Sequence, residues 1–163
     1  MSEEQSTRQE LDSWAANKTA AIEIAGLARR SIALLSYDLE PQIYNTDEFI
    51  AAIRVVATSG RYAKVRILVQ DSRRSVREGH RLIETKRRLS SFIEIRNPHH
   101  EHSKIIETYL IADERGLLYR KQADRYEGFA DTDNPFEARQ KLKEFEEIWS
   151  RATPDPDMRR LGI

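Results

Sequence analysis

Short apolar runs alternate with helix-like stretches along the first hundred residues, and this alternation constrains the fold more than any other feature. The strand-like runs are SIALLSYDL (31–39), KVRILVQD (64–71) and FIEIRNP (92–98). Apolar residues recur at helical spacing in the segments between and before them, at 11–30, 46–60 and 75–91. Strands separated by helices predict right-handed crossovers and parallel pairing.

The second half of the chain has a different pattern. The runs IIETYLIAD and GLLYRKQAD are joined by an ERG connection, which predicts a tight hairpin with Gly116 at positive φ. A last helix is predicted over 134–152, with Asn134 as N-cap and Pro135 at its first position. We therefore predict an α/β fold: a mixed sheet of five to six strands flanked by helices on both faces. The segments 31–38 and 64–70 are expected to be parallel neighbours at its centre.

Length and composition indicate one domain. The 163 residues suffice for a single substantial core, which we place at 11–152, between flexible segments at 1–10 and 153–163. Because the chain has no cysteine, disulfides, thiolate zinc sites and a cysteine nucleophile are excluded. No apolar run approaches the ~20 residues of a membrane span, and the polar start MSEEQSTRQE favours a cytoplasmic protein.

Charge is distributed unevenly although the net charge is zero. Residues 61–96 hold 11 Lys/Arg against 4 Asp/Glu. Arginines near one face of the predicted basic helix could bind phosphate groups of a ligand or of nucleic acid; they include Arg73, Arg77 and Arg81. The alternative is a solvated face paired with the acidic last helix, through Glu144, Glu146 and Glu147. His80, within this helix, is expected to be a surface or boundary residue.

Three of the four histidines lie in the segment NPHHEHSK, directly after the third strand. Imidazole and carboxylate ligands suit zinc or nickel. However, adjacent residues of an extended segment point to opposite sides, so only His100 and His102 could converge. Two ligands do not make a structural site, so we predict no functional metal and no cofactor, and a metal-binding histidine loop is kept as a second alternative function.

His102-Ser103-Lys104 and the surrounding elements resemble the phospholipase D superfamily, specifically the half-domain of its small bacterial nucleases. The resemblance covers about residues 14–152. It is carried by ARRSIALLSYDL, AKVRILVQDS, FIEIRNPHHEHSK and the terminal helix ARQKLKEFEEIWSRA. In that family the motif is His-x-Lys, four residues, then Asp. The histidine attacks phosphorus, the lysine stabilises the phosphate oxygens, and a second histidine, from the other half or a partner subunit, protonates the leaving group. The resemblance thus implies a homodimer.

The sequence departs from the family pattern at several positions. Tyr109 stands where the family has the aspartate, Asp113 comes four residues later, and the family's Gly-Ser-x-Asn has no counterpart. Only Glu127 could orient His102. We therefore predict a catalytically degenerate domain. It could retain anion binding through Lys104, Arg120 and Arg125. The alternative is a homodimeric phosphodiesterase using His102, Lys104 and Glu127.

Overall fold

The computed structural model describes residues 7–156, which form one eight-stranded mixed sheet. The strands are β1 (Arg8–Leu11), β2 (Ser31–Ser36), β3 (Lys64–Val69), β4 (Ile93–Asn97), β5 (Thr108–Ala112), β6 (Gly116–Arg120), β7 (Gly128–Asp131) and β8 (Thr153–Pro154). Their order is β1-β7-β6-β5-β2-β3-β4-β8. Strands β2, β3 and β4 are parallel, and every other pairing is antiparallel. The predicted parallel pair at the centre of a mixed sheet is confirmed, whereas the predicted number of strands was too low.

Six α-helices and one 3₁₀ turn connect the described strands. The helices are α1 (Trp14–Leu27), α2 (Pro41–Tyr44), α3 (Asp47–Ala57), α4 (Arg73–Glu78), α5 (Arg81–Arg88) and α6 (Pro135–Arg151). Side-chain caps define several of their starts, as expected where the first backbone N–H groups lack helical partners. For example, Ser13 Oγ accepts a hydrogen bond from Ala16 N at 3.1 Å, and Asn134 Oδ1 accepts one from Glu137 N at 3.1 Å.

Two apolar cores cover the two faces of the sheet. Because successive strand residues point to opposite faces, Ile32 and Leu34 pack into one core, and Ala33 and Leu35 pack into the other. The first and larger core receives α1, α3 and α5. The second receives α6 through Ala138, Phe145, Ile148 and Trp149. Helices therefore flank both faces, as predicted.

The basic segment predicted as one helix consists of two. Gly79 has φ +70°, which ends α4, and α5 begins two residues later. His80 lies at this junction and is only 2% exposed, so the expectation of a surface or boundary histidine was wrong. Its Nε2 lies 2.8 Å from Leu39 O, and its Nδ1 accepts a hydrogen bond from Leu82 N at 3.1 Å.

The β5–β6 hairpin is formed as predicted, but its strained positions differ. Asp113 and Glu114 have φ values of 53° and 57°, whereas Gly116 belongs to β6 and does not have positive φ. Asp113 also accepts hydrogen bonds from the backbone N–H groups of Arg29, Arg30 and Ser31 at 2.6–2.9 Å. Its carboxylate thus anchors the start of β2. The same hydrogen bonds hold the β5–β6 turn in place, although its positive-φ residues are not glycines.

The chain termini take part in the sheet more than the sequence indicates. Strand β1 includes residues 8–10 of the segment predicted to be flexible, and β8 pairs with β4 inside the segment predicted as a tail. Both are short edge strands whose residues are exposed apart from Leu11, and such residues carry little strand signal. The remainder of the two predicted segments, at 1–6 and 157–163, lies outside the described residues. None of the described helices has the length and hydropathy that crossing a membrane requires.

Candidate functional site

The three parallel strands end at the same edge of the sheet, and the candidate site lies there. Beyond β2 come Tyr37 and Asp38, beyond β3 come Gln70 and Asp71, and beyond β4 comes the loop with the histidines. In sheets of this type, ligands bind outside the carboxyl ends of the strands. The predicted catalytic pair His102 and Lys104 is therefore at the edge where a ligand site is expected.

The histidine loop is a 3₁₀ turn over His100–His102, rather than an extended segment. His102 N donates to His99 O at 2.8 Å, and Ser103 N donates to His100 O at 3.1 Å. Two further contacts fix the residues after Lys104. Gln70 Nε2 donates to Ile105 O at 3.1 Å, and Ala123 N donates to Ile106 O at 2.7 Å. The histidine loop is thus tied both to β3 and to the loop between β6 and β7.

His102 lacks the partner that would fix its tautomer. The ring is partly buried, and its Nδ1 atom is buried without a hydrogen-bond partner among residues 7–156. Glu127, the residue predicted to orient it, is exposed just before β7 and makes no such contact. A nucleophilic or acid–base histidine depends on a partner at its second nitrogen. The structure does not bring Glu127 and His102 together in this way.

Tyr109 occupies the position of the family aspartate and belongs to the core. It is 1% exposed within β5, opposite Leu35 on one side and Tyr119 on the other. Its hydroxyl is buried and has no hydrogen-bond partner in the described chain, and burial raises its pKa. Asp113 cannot substitute for the aspartate, because it lies at the far end of β5 and anchors β2.

Arg120 was predicted to bind anions, but it is only 2% exposed and is already paired. One guanidinium nitrogen donates to Glu40 Oε1 and to Ala123 O, both at 2.7 Å. Burial raises the pKa of Glu40, while the hydrogen bond and the charge of Arg120 act against this rise. Arg120 therefore joins the segment after β2 to the β6–β7 loop and is not open to a ligand.

Two of the other predicted anion-binding arginines also have carboxylate partners. Arg73 forms a bidentate pair with Asp71 and lowers its pKa, and Arg81 pairs with Asp47. The alternative pairing with the last helix is wrong, because α5 packs on the opposite face of the sheet from α6. The acidic residue Glu146 binds Arg66 of β3 instead.

Several predicted anion ligands remain open. Lys104, Arg77 and Arg125 are exposed, and in the described chain they have no ion pair or side-chain hydrogen bond. Lys121, which the sequence did not single out, shares this property. Lys104 lies two residues from Ile106, and Lys121 and Arg125 each lie two residues from Ala123, its backbone partner. We call Lys104, Lys121 and Arg125 the loop cations.

A cleft of about 700 Å³ adjoins these loops, and sequence reasoning did not find its wall after β2. One wall comes from the segment after β2, with Tyr37, Asp38 and Glu40. The other comes from Ile105 and Ile106 and from the β6–β7 loop, including Asp124 and Tyr126. Its volume is in the usual range of small-molecule sites. No periodicity or motif connects these segments in sequence, so only the fold reveals the cleft.

The metal-ligand pair predicted from the sequence is not the one that the loop forms. Because the loop turns, the side chains of His99, His100 and Glu101 bring ligand atoms within 4.8 Å of one another, and His102 is not in this group. Glu101 also pairs with Arg151 at the end of α6, which lowers the pKa of its carboxyl group. The expectation that only His100 and His102 converge was therefore wrong.

The fold is shared with solved structures at low sequence identity. TrmBL2, described as an archaeal chromatin protein with a novel mode of DNA binding, matches with TM-score 0.65 and 14% identity. The match covers 95% of this chain and 56% of TrmBL2, so the chain spans little more than half of that protein. Nuc from Salmonella typhimurium, a phospholipase D family member, matches with TM-score 0.63 and 14% identity. The match covers 93% of this chain and 99% of Nuc. NucT from Helicobacter pylori matches with TM-score 0.59 and 13% identity, over 91% of this chain and 99% of NucT.

The expected family relationship is confirmed at the level of the fold. No curated protein matches the chain in sequence. Residues 13–161 match the model of a family described as "Domain of unknown function (DUF7931)". The chain is therefore a member of the DUF7931 family, and its fold is that of the phospholipase D superfamily.

Proposed function

We propose that this domain binds the phosphodiester backbone of nucleic acid at the carboxyl edge of its sheet and does not hydrolyse it. The observation that carries the binding is the set of loop cations. They are three exposed positive charges without carboxylate partners in the described chain, on two loops joined by the Ala123–Ile106 hydrogen bond. Open Lys and Arg side chains bind phosphates mainly through counterion release.

Two features of the site argue against hydrolysis. His102 Nδ1 has no acceptor in the described chain, so nothing holds the ring in the tautomer that an attacking imidazole requires. The position of the family aspartate is filled by the core residue Tyr109. Removing one oriented group from a catalytic site typically costs about 10²–10³ in rate. Losing two should leave no useful turnover.

The structural relatives agree with this choice of ligand. TrmBL2 is described as binding DNA, and 95% of the present chain superimposes on part of the TrmBL2 fold. Nuc is described as a phospholipase D family member, and this is the family whose phosphate-binding motif His102 and Lys104 resemble. The cleft is lined by three acidic residues, Asp38, Glu40 and Asp124, and by one basic residue, Arg74, which already pairs with Glu78. This balance disfavours phosphate inside the cleft itself. We therefore place the backbone on the rim, next to the loop cations.

A binding titration tests this proposal. Fluorescence anisotropy of a labelled single-stranded oligonucleotide is measured against the wild type and the triple variant Lys104→Ala/Lys121→Ala/Arg125→Ala. The matched control, Arg29→Ala/Arg30→Ala/Arg54→Ala, removes three exposed arginines, two of them just before β2 at the opposite edge and one on α3. Both variants change the net charge by the same amount.

The proposal predicts that only the rim variant loses affinity. Each phosphate contact to a single strand contributes about 0.7 to the slope of log K against log salt, so the slope should fall by about 2 in this variant. The control should keep the wild-type slope. Equal losses in both variants would show that binding depends on overall charge alone and would refute the proposed site.

A further inference from the structure

We propose that His99, His100 and Glu101 form a binding site for a borderline transition-metal ion such as Zn²⁺ or Ni²⁺. The proposal does not depend on the proposed nucleic-acid binding, since it concerns other side chains of the histidine loop. Two imidazoles and one carboxylate provide three protein ligands, which leaves a position for water. Mg²⁺ and Ca²⁺ prefer oxygen ligands and should not compete.

The geometry of the turn brings these side chains together. In the 3₁₀ turn His100–His102 the side chains no longer alternate between two sides, and the three ligand atoms lie within 4.8 Å of one another. The rings of His99 and His100 have their centroids 4.0 Å apart. Tetrahedral zinc with bonds near 2.1 Å requires ligand separations of roughly 3.4 Å. His100 and Glu101 are exposed, so small rotamer changes can close the remaining gap.

Binding must displace two interactions of the free loop. His99 Nδ1 accepts a hydrogen bond from Glu101 N at 3.2 Å. This long contact is lost when the ring rotates or when its proton moves to Nδ1. Arg151 is paired with Glu101, and both side chains are half exposed. Such exposed pairs contribute little to stability. The Arg151 guanidinium nevertheless already binds the Glu101 carboxylate, so it competes with the metal ion for this ligand.

This competition gives the proposal an unusual consequence. Removing Arg151 should tighten metal binding, although the substitution deletes a contact made by the site. The expected gain is about twofold to fivefold, because the ion pair that the metal no longer has to break is an exposed one. A general attraction of metal ions to the histidine loop predicts no such dependence on Glu101 or its partner.

Isothermal titration of the untagged full chain with ZnCl₂ tests the site. The variants are His100→Ala, Glu101→Gln and Arg151→Ala, and His102→Ala is the matched control from the same loop. The fourth histidine of the chain, His80, is buried with both ring nitrogens engaged, so it does not add a ligand. Circular dichroism checks that each variant is folded.

We expect one site in the wild type, a loss of about tenfold or more in His100→Ala and Glu101→Gln, and tighter binding in Arg151→Ala. His102→Ala should bind Zn²⁺ as the wild type does, and MgCl₂ should give no heat of binding. The proposal is overturned if the wild type does not bind Zn²⁺, or if His102→Ala loses as much affinity as His100→Ala. Unchanged or weaker binding by Arg151→Ala would also overturn it.

Discussion

At the scale of single residues, His80 holds the loop that forms one wall of the cleft. Leu39 in that loop has a φ of 63°, which is costly for a residue with a side chain. Its carbonyl lies 2.8 Å from His80 Nε2, and its N–H donates to Ser36 Oγ at 2.9 Å. Since Nδ1 accepts from Leu82 N, Nε2 carries the proton and the imidazole is neutral. His80 thus joins the α4–α5 junction to the cleft.

This arrangement predicts that the protein loses stability on mild acidification. Burial lowers the pKa of His80 from 6.5; the neighbouring Arg81 acts in the same direction, while the hydrogen bond to Leu39 and the charge of Asp38 oppose it. Below about pH 6.5 the unfolded chain takes up a proton that the folded chain excludes. The free energy of unfolding should therefore fall as the pH is lowered, by up to about 1.4 kcal/mol per unit.

Urea unfolding of the wild type and His80→Gln between about pH 7.5 and 5.5 measures this effect, in a range where most carboxylates stay ionised. The variant should be less stable at neutral pH and should show a smaller dependence on pH. If both proteins lose stability in parallel, His80 is not the group responsible.

Tyr109 offers a second test at this scale. Its hydroxyl is buried without a partner in the described chain, so Tyr109→Phe should leave the free energy of unfolding unchanged or raise it by up to about 1 kcal/mol. Tyr109→Asp restores the family residue but would place a carboxylate in the core, near Glu107 and Glu144. We expect it to cost about 3 kcal/mol or more. Chemical denaturation compares the two. A stable Asp variant that gains phosphodiesterase activity would contradict this account.

At the scale of elements, Gly79 separates α4 from α5. Its φ of +70° is unfavourable for other residues, and an added Cβ would meet nothing within 4 Å. Gly79→Ala should therefore cost about 1–2 kcal/mol through backbone strain alone. Gly26, inside α1 and equally unobstructed, is the matched control, and Gly26→Ala should stabilise by about 0.5–1 kcal/mol. Thermal unfolding measures the stability change in each variant. Equal changes in Gly79→Ala and Gly26→Ala would show that the α4–α5 junction is not strained.

The elements that could be predicted from the sequence are those with a strong local signal. The apolar runs of β2 and β3 and the capped helix α6 are of this kind, and all three are confirmed. The division at Gly79 was missed because one glycine in a helical pattern does not by itself end a helix. Strands β1 and β8 were missed because their pairing depends on distant partners, β7 and β4.

The site was predicted only in part, for the same reason. The sequence places His102 and Lys104 at the end of a parallel strand, and the structure agrees. The sequence gives no sign that Arg120 is buried against Glu40, or that His102 Nδ1 lacks an acceptor. Both features depend on contacts between loops far apart in sequence. The converging metal ligands were misassigned because the loop was assumed to be extended rather than turned.

At the scale of the whole molecule, we propose a homodimer formed through the apolar side chains beside the cleft, with the loop cations left at the open rim of the interface. The expectation came from the family chemistry, which uses two histidines where this chain has one candidate. Three exposed apolar or aromatic side chains surround the cleft at this edge: Tyr37, Ile106 and Tyr126, which are 50%, 57% and 37% exposed. Exposed apolar patches mark interaction sites, and a two-fold dimer buries the same patch on both copies.

Sedimentation velocity at high micromolar concentration tests this proposal. The wild type should sediment as a dimer, and Ile106→Glu should shift it towards monomer because two carboxylates would be buried per interface. The control Phe136→Glu changes a residue that is 72% exposed at the start of α6 and should leave the dimer intact. A monomeric wild type, or a dimer indifferent to Ile106→Glu, would refute this interface.

³¹P NMR of a short single-stranded oligonucleotide tests at once whether the site binds a phosphodiester backbone and whether it leaves that backbone uncleaved. With stoichiometric protein, the phosphodiester resonances should shift or broaden until saturation, and no phosphomonoester resonance should grow over hours. Unaffected phosphodiester resonances would refute the proposed binding. A phosphomonoester resonance that appeared with the wild type and was absent with His102→Ala would show that the site cleaves the backbone.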